Sequence, residues 1–241
     1  MLKTLNKNNQ EINIVHFCGQ SLKDFKITVP NIFYNSKLSF LNIPIISCWT
    51  NENDCILLKQ LLKFNINIIN AVPKELKKEW EMPDKINYIL SALKNIEDDV
   101  VLILDGYDVL FTSTNNILNK FKELGYKILY NATANNYPIE EIDIIENRDS
   151  YGKYKYFNAG CCIGYRKDLI KFYTEALKYI NIENPLKSEQ KILRYAFSKY
   201  SNNPNQRFIG IDYNSIIFQT MGRTKVDYNK DTQILKISPI E

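Results

Sequence analysis

The stretch Val100–Phe111, VVLILDGYDVLF, constrains this chain more than any other. Five consecutive aliphatic residues run straight into Asp105, Gly106, Tyr107 and Asp108, after which apolar residues resume. A continuous run of this kind reads as a strand buried on both faces, the habit of a parallel sheet covered by helices. The carboxyl ends of such strands are where open α/β sheets bind ligands. Two carboxylates placed there call for a cationic partner, because an unpaired buried charge is expensive. Mg²⁺ or Mn²⁺, held by one or two carboxylates plus substrate phosphates, would meet that need. Asp and Gly are also ordinary turn formers, so these twelve residues are equally compatible with a strand entering a turn.

The rest of the chain bears on that choice. Its 241 residues suffice for one large domain or two small ones. A hydrophobic content of 45% with 24% charged residues is that of a globular protein and excludes wholesale disorder. The net charge of +4 is modest, and the lysines of Lys74–Lys78 alternate with an acid, which reads as solvated helix face and not as a nucleic-acid footprint. A mildly basic surface still favours a phosphate-bearing substrate. The five cysteines, Cys18, Cys48, Cys55, Cys161 and Cys162, are odd in number and lack C-x-x-C spacing, against a disulfide framework or a zinc site. The first fifteen residues contain no apolar segment of a secretory signal, and no apolar run approaches membrane-spanning length. The expectation is a soluble, cytoplasmic protein without membrane or nucleic-acid partners.

Strand-like and helix-like segments alternate along the chain. Apolar runs occupy Ile12–Phe17 and Ile43–Ser47, with Phe25–Val29 and Asn31–Tyr34 between them only loosely placed. Ile45–Thr50 reads as a strand, and Asn51–Asp54 as a turn into a helix with Ile56, Leu57, Leu61, Leu62 and Phe64 near the 3.6-residue period. A strand over Ile66–Val72 follows, then a helix from Pro83 to about Lys94 with Ile86, Ile89, Leu90 and Leu93 on one face. Beyond the strand at 100–104 come a helix over Asn115–Leu124 and a strand over Lys127–Ala132. The aromatic, glycine-containing segment Tyr151–Gly164 interrupts the alternation, before helices over Lys167–Tyr179 and Glu189–Phe197 and a short strand over Ile209–Asp212. This alternation is the signature of a doubly wound α/β layer, a mostly parallel sheet with helices on both faces. With no repeat or low-complexity linker, residues 1–241 read as one domain, residues 1–42 being an N-terminal extension of open role.

Four separated segments share an order and spacing: LILDGYDVLF, YFNAGCCIGY (156–165), SEQKIL (188–193) and IDYNSIIFQ (211–219). Together they resemble the glycosyltransferase domain of the procollagen lysyl hydroxylases, over roughly residues 43–238. The resemblance implies a Rossmann-like GT-A fold and a nucleotide-sugar donor, with Mn²⁺ (Mg²⁺ being the alternative) held by Asp105 and Asp108 against the UDP diphosphate. Such a metal neutralises the departing diphosphate as a Lewis acid, and preorganised charge of this kind is commonly the largest catalytic term. The resemblance also implies a uridine site at Cys48, Trp49 and Thr50, and donor contacts from Lys85, Gly106 and Tyr107. On the residues alone, Trp49 could equally be a core aromatic and Lys85 a surface lysine.

Asn158-Ala159-Gly160 resembles the family's Asn-Ser-Gly. The glycine would permit close backbone approach, and the Asn amide would offer a donor and an acceptor to sugar hydroxyls. A self-bonded Asn in a buried turn is the alternative. Tyr137-Pro138 stands where the family has Trp-Pro near the acceptor, and Ser188-Glu189-Gln190 where it has Asp-Asp-Gln. The expectation is therefore Glu189, Asp212 and Asn158 as catalytic, with Tyr137, Gly160 and Gln190 on the acceptor. The family closes its metal site with a His-Gly-Asn-Gly segment beyond the equivalent of Ser238–Glu241, which these 241 residues do not contain. The single histidine, His16 in Ile-Val-His-Phe-Cys, reads as a satisfied strand residue and is not assigned as a ligand.

The implied reaction is transfer of glucose from UDP-glucose to galactosyl-hydroxylysine on a collagen-like chain, with retention at the anomeric carbon. Galactosyl transfer from UDP-galactose to hydroxylysine is the near alternative. The rivals are a nucleotidyltransferase or sugar-nucleotide hydrolase, and a catalytically lapsed UDP-sugar-binding module. Homodimer formation stays open.

Overall fold

A computed structural model describes residues 3–18, 36–76, 80–138, 152–182, 186–201 and 208–239. The segments Phe25–Val29 and Asn31–Tyr34 lie outside these residues. The described strands are β1 (Lys3–Leu5), β2 (Ile14–His16), β3 (Ile45–Ser47), β4 (Ile68–Asn70), β5 (Val100–Leu104), β6 (Val109–Phe111), β7 (Ile128–Thr133), β8 (Tyr156–Tyr165), β9 (Ile209–Ile211), β10 (Phe218–Thr220), β11 (Thr224–Asn229) and β12 (Ile234–Pro239). The helices are α1 (Ile56–Leu62), α2 (Asp84–Lys94), α3 (Ile117–Leu124), α4 (Arg166–Ala176) and α5 (Glu189–Ser201).

The aliphatic run forms β5, with every residue buried, near the middle of a six-stranded sheet ordered β4-β3-β5-β8-β7-β9. Its side chains alternate between the two faces. Val101 and Ile103 join a core built with Ile86, Ile89 and Leu93 of α2 and Leu169 and Phe172 of α4. Val100, Leu102 and Leu104 join the opposite core with Leu57 and Leu61 of α1 and Ile117 and Phe121 of α3. Each such burial is worth roughly 1.5–3 kcal/mol, so the strand as a whole contributes on the scale of a domain's net stability. That is why Val100–Leu104 admits no polar residue until the chain emerges at Asp105. Among the described residues no helix is long and apolar enough to cross a membrane.

The sheet is α/β and mostly parallel, with one reversal. β3 runs parallel to β4 and β5, and β7 parallel to β9, but β8 is antiparallel to both β5 and β7. This reversed strand is the segment whose aromatic and glycine content appears in sequence as an interruption. Between β7 and β8 the register jumps from Tyr130↔Cys162 to Asn131↔Asn158, so Ala159, Gly160 and Cys161 bulge away from β7. They stay attached to β5, where Leu104 pairs with Cys161 and the Asp105 N–H donates to the Gly160 carbonyl at 2.8 Å. Bulges of this kind re-aim side chains and gather beside active sites.

The first residues are built into the fold. β1 pairs with β12 in a small sheet, and β2 is the central strand of another, parallel to β10 and antiparallel to β6. Buried Gln60 of α1 fixes this second sheet by bonding both backbone groups of Phe111, at 2.8 Å each.

Asp212, expected among the catalytic residues, is engaged by the backbone. Its carboxylate is buried and accepts three backbone N–H bonds, from Ile216 at 2.9 Å, Ile217 at 2.8 Å and Phe218 at 2.9 Å. Burial raises its pKa, while those three bonds oppose the shift. A carboxylate so committed shapes the turn into β10 and has little capacity left for an acceptor hydroxyl. Asp212→Ala should lower the free energy of unfolding by about 2–4 kcal/mol, since it strands buried backbone donors. Urea titration checks this. An unchanged denaturation midpoint together with lost transfer would return Asp212 to the chemistry.

Candidate active site

The site lies at the carboxyl end of β5, where Asp105 and Asp108 bracket a four-residue link into β6. The link is tied on both sides. The Gly106 carbonyl accepts from the Leu57 N–H at 3.1 Å and the Cys55 thiol at 3.2 Å, both at the start of α1. A Cβ at 106 would lie 2.9 Å from Cys55 Sγ and 3.1 Å from Ser47 Oγ, so glycine is required by packing. The Asp108 carbonyl accepts from the Phe17 N–H at 2.8 Å, and His16 stands opposite Val109 in the ladder.

This register brings in a residue that the sequence did not reveal. His16, 3% exposed, places Nε2 at 3.3 Å from Asp108 Oδ2 and 3.7 Å from Asp105 Oδ2. Burial alone would lower its pKa, but the Asp108 charge and hydrogen bond, with the Asp105 charge, raise it above the ordinary value. The ring rests on the backbone of Gly160: a Cβ there would come within 2.2 Å of Cε1. Gly160, expected to admit a ligand, is therefore needed to admit the His16 ring. Asn131 Nδ2 lies 3.4 Å from His16 Nδ1 and donates to Thr220 Oγ1 at 2.9 Å. The signal available in sequence was that this is the only imidazole in the chain. The pairing that makes it useful joins residues about ninety positions apart.

Two helices bring charge from the other side. Lys85, in the first turn of α2, is buried and bonds through Nζ to Asp105 Oδ1 and, at 2.6 Å, to Glu189 Oε1. Burial would lower the lysine pKa, but Asp105 and Glu189 hold it well above its usual value. Glu189, the first residue of α5, is 5% exposed, and burial pushes its carboxyl up to about 7 against the pull of Lys85. Its Oε2, and Asp108 Oδ1, are buried oxygens without a hydrogen-bond partner among the described residues. Unpartnered buried carboxylate oxygens of this kind ask for a ligand.

The other expected residues are only partly gathered. Tyr107 and Thr50 meet: the phenol oxygen accepts from the Thr50 N–H at 2.9 Å and the Asn51 N–H at 3.3 Å. Cys48 and Trp49 do not present themselves to a ligand. Cys48 is buried in the α2-side core with its thiol pushed up to about 12 by burial, and Trp49, 5% exposed, is packed in the opposite core. Trp49, expected at the uridine, is packed on the face opposite Cys48, as adjacent residues at a strand end are. Asn158 Oδ1 accepts from its own neighbour, the Gly160 N–H, at 3.0 Å. Gln190 clamps the bulge to the neighbouring loop, accepting from the Ala159 N–H at 3.0 Å and donating to the Tyr137 carbonyl at 2.6 Å. The Tyr137 side chain is about half exposed beside that clamp.

The donor set fits a divalent cation. One oxygen each of Asp105 and Asp108 and one nitrogen of His16 lie within 4.8 Å of one another. Two ligands bound at about 2.1 Å and 90–110° apart would sit about 3.0–3.4 Å from each other, close to the spacings of His16 from the two acids.

A family model described as the PLOD GT domain matches residues 75–235. An uncharacterized protein of Acanthamoeba polyphaga mimivirus is 28% identical over 148 residues, which takes in 59% of this chain and 30% of that protein. Procollagen-lysine,2-oxoglutarate 5-dioxygenase of Drosophila melanogaster is 30% identical over 124 residues, 43% of this chain and 16% of the relative. Procollagen-lysine,2-oxoglutarate 5-dioxygenase 1 of Gallus gallus is 30% identical over 129 residues, 48% of this chain and 17% of the relative. The chain thus spans less than a third of the length of each of these relatives. Since the family model covers more than half of its residues, the chain belongs to the family of PLOD glycosyltransferase domains.

Proposed function

We propose that this glycosyltransferase uses a UDP-sugar with a divalent cation, Mn²⁺ or Mg²⁺, and that the hexose is glucose passed to galactosyl-hydroxylysine of a collagen-like chain. One observation carries the reading. In a chain of this family, two carboxylates, a buried lysine and a buried glutamate converge at the end of β5, with two carboxylate oxygens unpartnered among the described residues. The names of the insect and avian relatives, procollagen-lysine dioxygenases, support a collagen-like acceptor.

Asp105 and Asp108 would hold the cation, whose chemistry is to neutralise the negative charge that develops on the departing diphosphate. Lys85 adds a fixed positive charge beside Asp105. In a low-dielectric site such a charge is worth more than in water. Thr50 and Tyr107, bonded to each other at the exposed end of β3, are placed to receive the nucleoside. Glu189 Oε2 is placed to accept the acceptor's hydroxyl proton or to orient that hydroxyl, and a pKa near neutrality suits either task. Asn158, Gln190 and Tyr137 line the same end of β8, on the acceptor side. The runner-up acceptor is hydroxylysine itself, with UDP-galactose as donor.

A panel of UDP-sugars with Mn²⁺, scored for UDP release with and without a galactosyl-hydroxylysine peptide, tests the reading. Acceptor-dependent release with UDP-glucose is the expected result. Release indifferent to acceptor would indicate a hydrolase. Asp105→Asn and Asp108→Asn should each reduce Mn²⁺-dependent UDP affinity and transfer by at least about a hundredfold, as lost ligands exceed the 10–100-fold typical of outer-shell changes. Normal metal-dependent transfer in both variants would remove the metal from this site.

Glu189→Gln separates donor from acceptor roles. Transfer should fall by roughly ten- to a thousandfold, the upper part of that range being typical of a lost acid–base group. UDP affinity measured by calorimetry in the same variant should change only a few-fold. Weakening of UDP binding to the level of Asp105→Asn would instead make Glu189 a donor-side residue acting through Lys85.

A further inference from the structure

We infer that Arg194, one turn beyond Gln190 on α5, is a positioning residue of the acceptor side: through Asn136 it fixes the loop that carries Tyr137, and so sets how well the acceptor is held. This rests on the reading of Tyr137, Gln190 and Asn158 as acceptor-side residues, and it adds a residue that lies wholly beneath the surface. Three observations carry it. First, the loop over 134–138 is held by side chains. It leaves the end of β7, where Asn131, Ala132 and Thr133 pair with Asn158, Phe157 and Tyr156. Among the described residues no backbone–backbone hydrogen bond ties residues 134–138 to the rest of the fold. Instead the Asn135 N–H donates to Thr133 Oγ1 at 3.4 Å, the Tyr137 carbonyl accepts from Gln190 Nε2 at 2.6 Å, and Asn136 Oδ1 accepts from Arg194 Nη2 at 2.8 Å. Gln190 and Arg194 are spaced to lie on one face of α5, and side chains there lean back toward the helix N-terminus, where Glu189 stands. Successive turns of one helix thus grip two consecutive residues of the loop.

Second, the burial of Arg194 is out of the ordinary. It is 0% exposed and among the largest wholly buried side chains of the described residues. Arginine is almost never buried to this degree unless paired, and an apolar residue of similar volume would serve a core as well. The guanidinium is accounted for by what it holds: its rigid planar fork fixes a partner in direction as well as in distance. Third, α5 is shared by the acceptor-side groups. Glu189 is its first residue, and Gln190 Oε1 also accepts from the Ala159 N–H at 3.0 Å, in the bulge beside Asn158. The helix therefore carries Glu189, the bulge and the Tyr137 loop as one body.

The consequence is a division of labour within the site. Tyr137 leaves an aromatic ring half exposed next to amide side chains, a pairing suited to a saccharide, with C–H surface against the ring and hydroxyls against amides. The donor-side contacts of Thr50, Lys85, Asp105 and Asp108 include none to residues 134–138 among the described residues. Loosening the loop should weaken the acceptor and spare the donor.

The test compares the full-length parent with Arg194→Met, Asn136→Ala and the double variant, using the donor and peptide pair that is productive in the UDP-sugar panel. Arg194→Met keeps the buried volume and removes every donor, and Asn136→Ala removes the same bond from the loop side. Each single variant should lose about ten- to a hundredfold in kcat/KM for the peptide, mostly through KM, the scale on which displaced positioning groups act. KM for the UDP-sugar and calorimetric UDP affinity should stay within about twofold. The double variant should lose no more than the worse single one, because both changes break one contact. Fluorotyrosine placed at position 137 reads the loop without turnover, and its fluorine resonance should shift or broaden in both single variants. Circular dichroism and thermal melting establish that each variant is folded. Equal losses toward donor and peptide, additive losses in the double variant, or a parental KM for the peptide each overturn the inference, whether or not the resonance moves. A resonance unmoved in both single variants overturns it as well. If no pair in the panel gives peptide-dependent UDP release in the parent protein, the reading of an acceptor side fails, and this inference falls with it. Should Arg194→Met fail to fold, Asn136→Ala decides alone.

Discussion

The structure depends on how three carboxylates are kept close together at the edge of an apolar core. Asp105, Asp108 and Glu189 meet at the end of a strand whose other residues are wholly buried. Two like charges at 4 Å repel by roughly 4 kcal/mol at the effective dielectric of a protein surface, more in the interior. Lys85 answers part of this by bonding Asp105 and Glu189 at once, and His16 by facing Asp105 and Asp108. Two nitrogen-bearing side chains bridge three carboxyl groups, and neither is placed by its local sequence. Lys85 arrives on a helix and His16 on a strand from another sheet. Removing one member of such a buried pair commonly costs about 3–5 kcal/mol, so the arrangement holds the two sheets and α2 in register as well as setting the chemistry.

The parts legible in the sequence are those fixed by local periodicity. The aliphatic run at 100–104 is β5, and the 3.6-residue pattern of Ile86, Ile89, Leu90 and Leu93 is the buried face of α2. β8 was not legible, because its glycines answer contacts that are invisible along the chain. Gly160 yields to the His16 ring, and Gly164 to Leu169 and Ile128, whose side-chain atoms would lie 3.0–3.2 Å from an added Cβ. A strand that carries glycine for such reasons loses its β-like composition while keeping its pairing. The packing of Trp49 was hidden for a similar reason: which way an aromatic at a strand end faces depends on what packs behind it.

The family match and the geometry answer different questions. Residues 75–235 carry Lys85, both site aspartates, Asn158 and Glu189, so the match covers the lysine and the three carboxylates of the site together. It does not reach β1 or β2, yet β2 is a central strand and β1 pairs with β12, the last described strand. The opening residues, which in sequence look like an appendage, complete the sheet of β11 and β12 and carry the single imidazole.

Asp212 shows how a site can depend on an acid whose oxygens are spent on backbone. Its three backbone bonds fix the start of β10, and β10 pairs with β2 so that Thr220 lies opposite His16. Thr220 in turn accepts from Asn131 and donates to the Ala132 carbonyl, holding the amide that faces His16 Nδ1. A chain of contacts thus runs from a buried carboxylate through a strand and a threonine to the orientation of one imidazole. Strand-end acids in α/β proteins divide into those that leave oxygens unspent and those that spend them on backbone. Asp108 belongs to the first kind and Asp212 to the second, a distinction of hydrogen-bond accounting that identical sequence signals conceal.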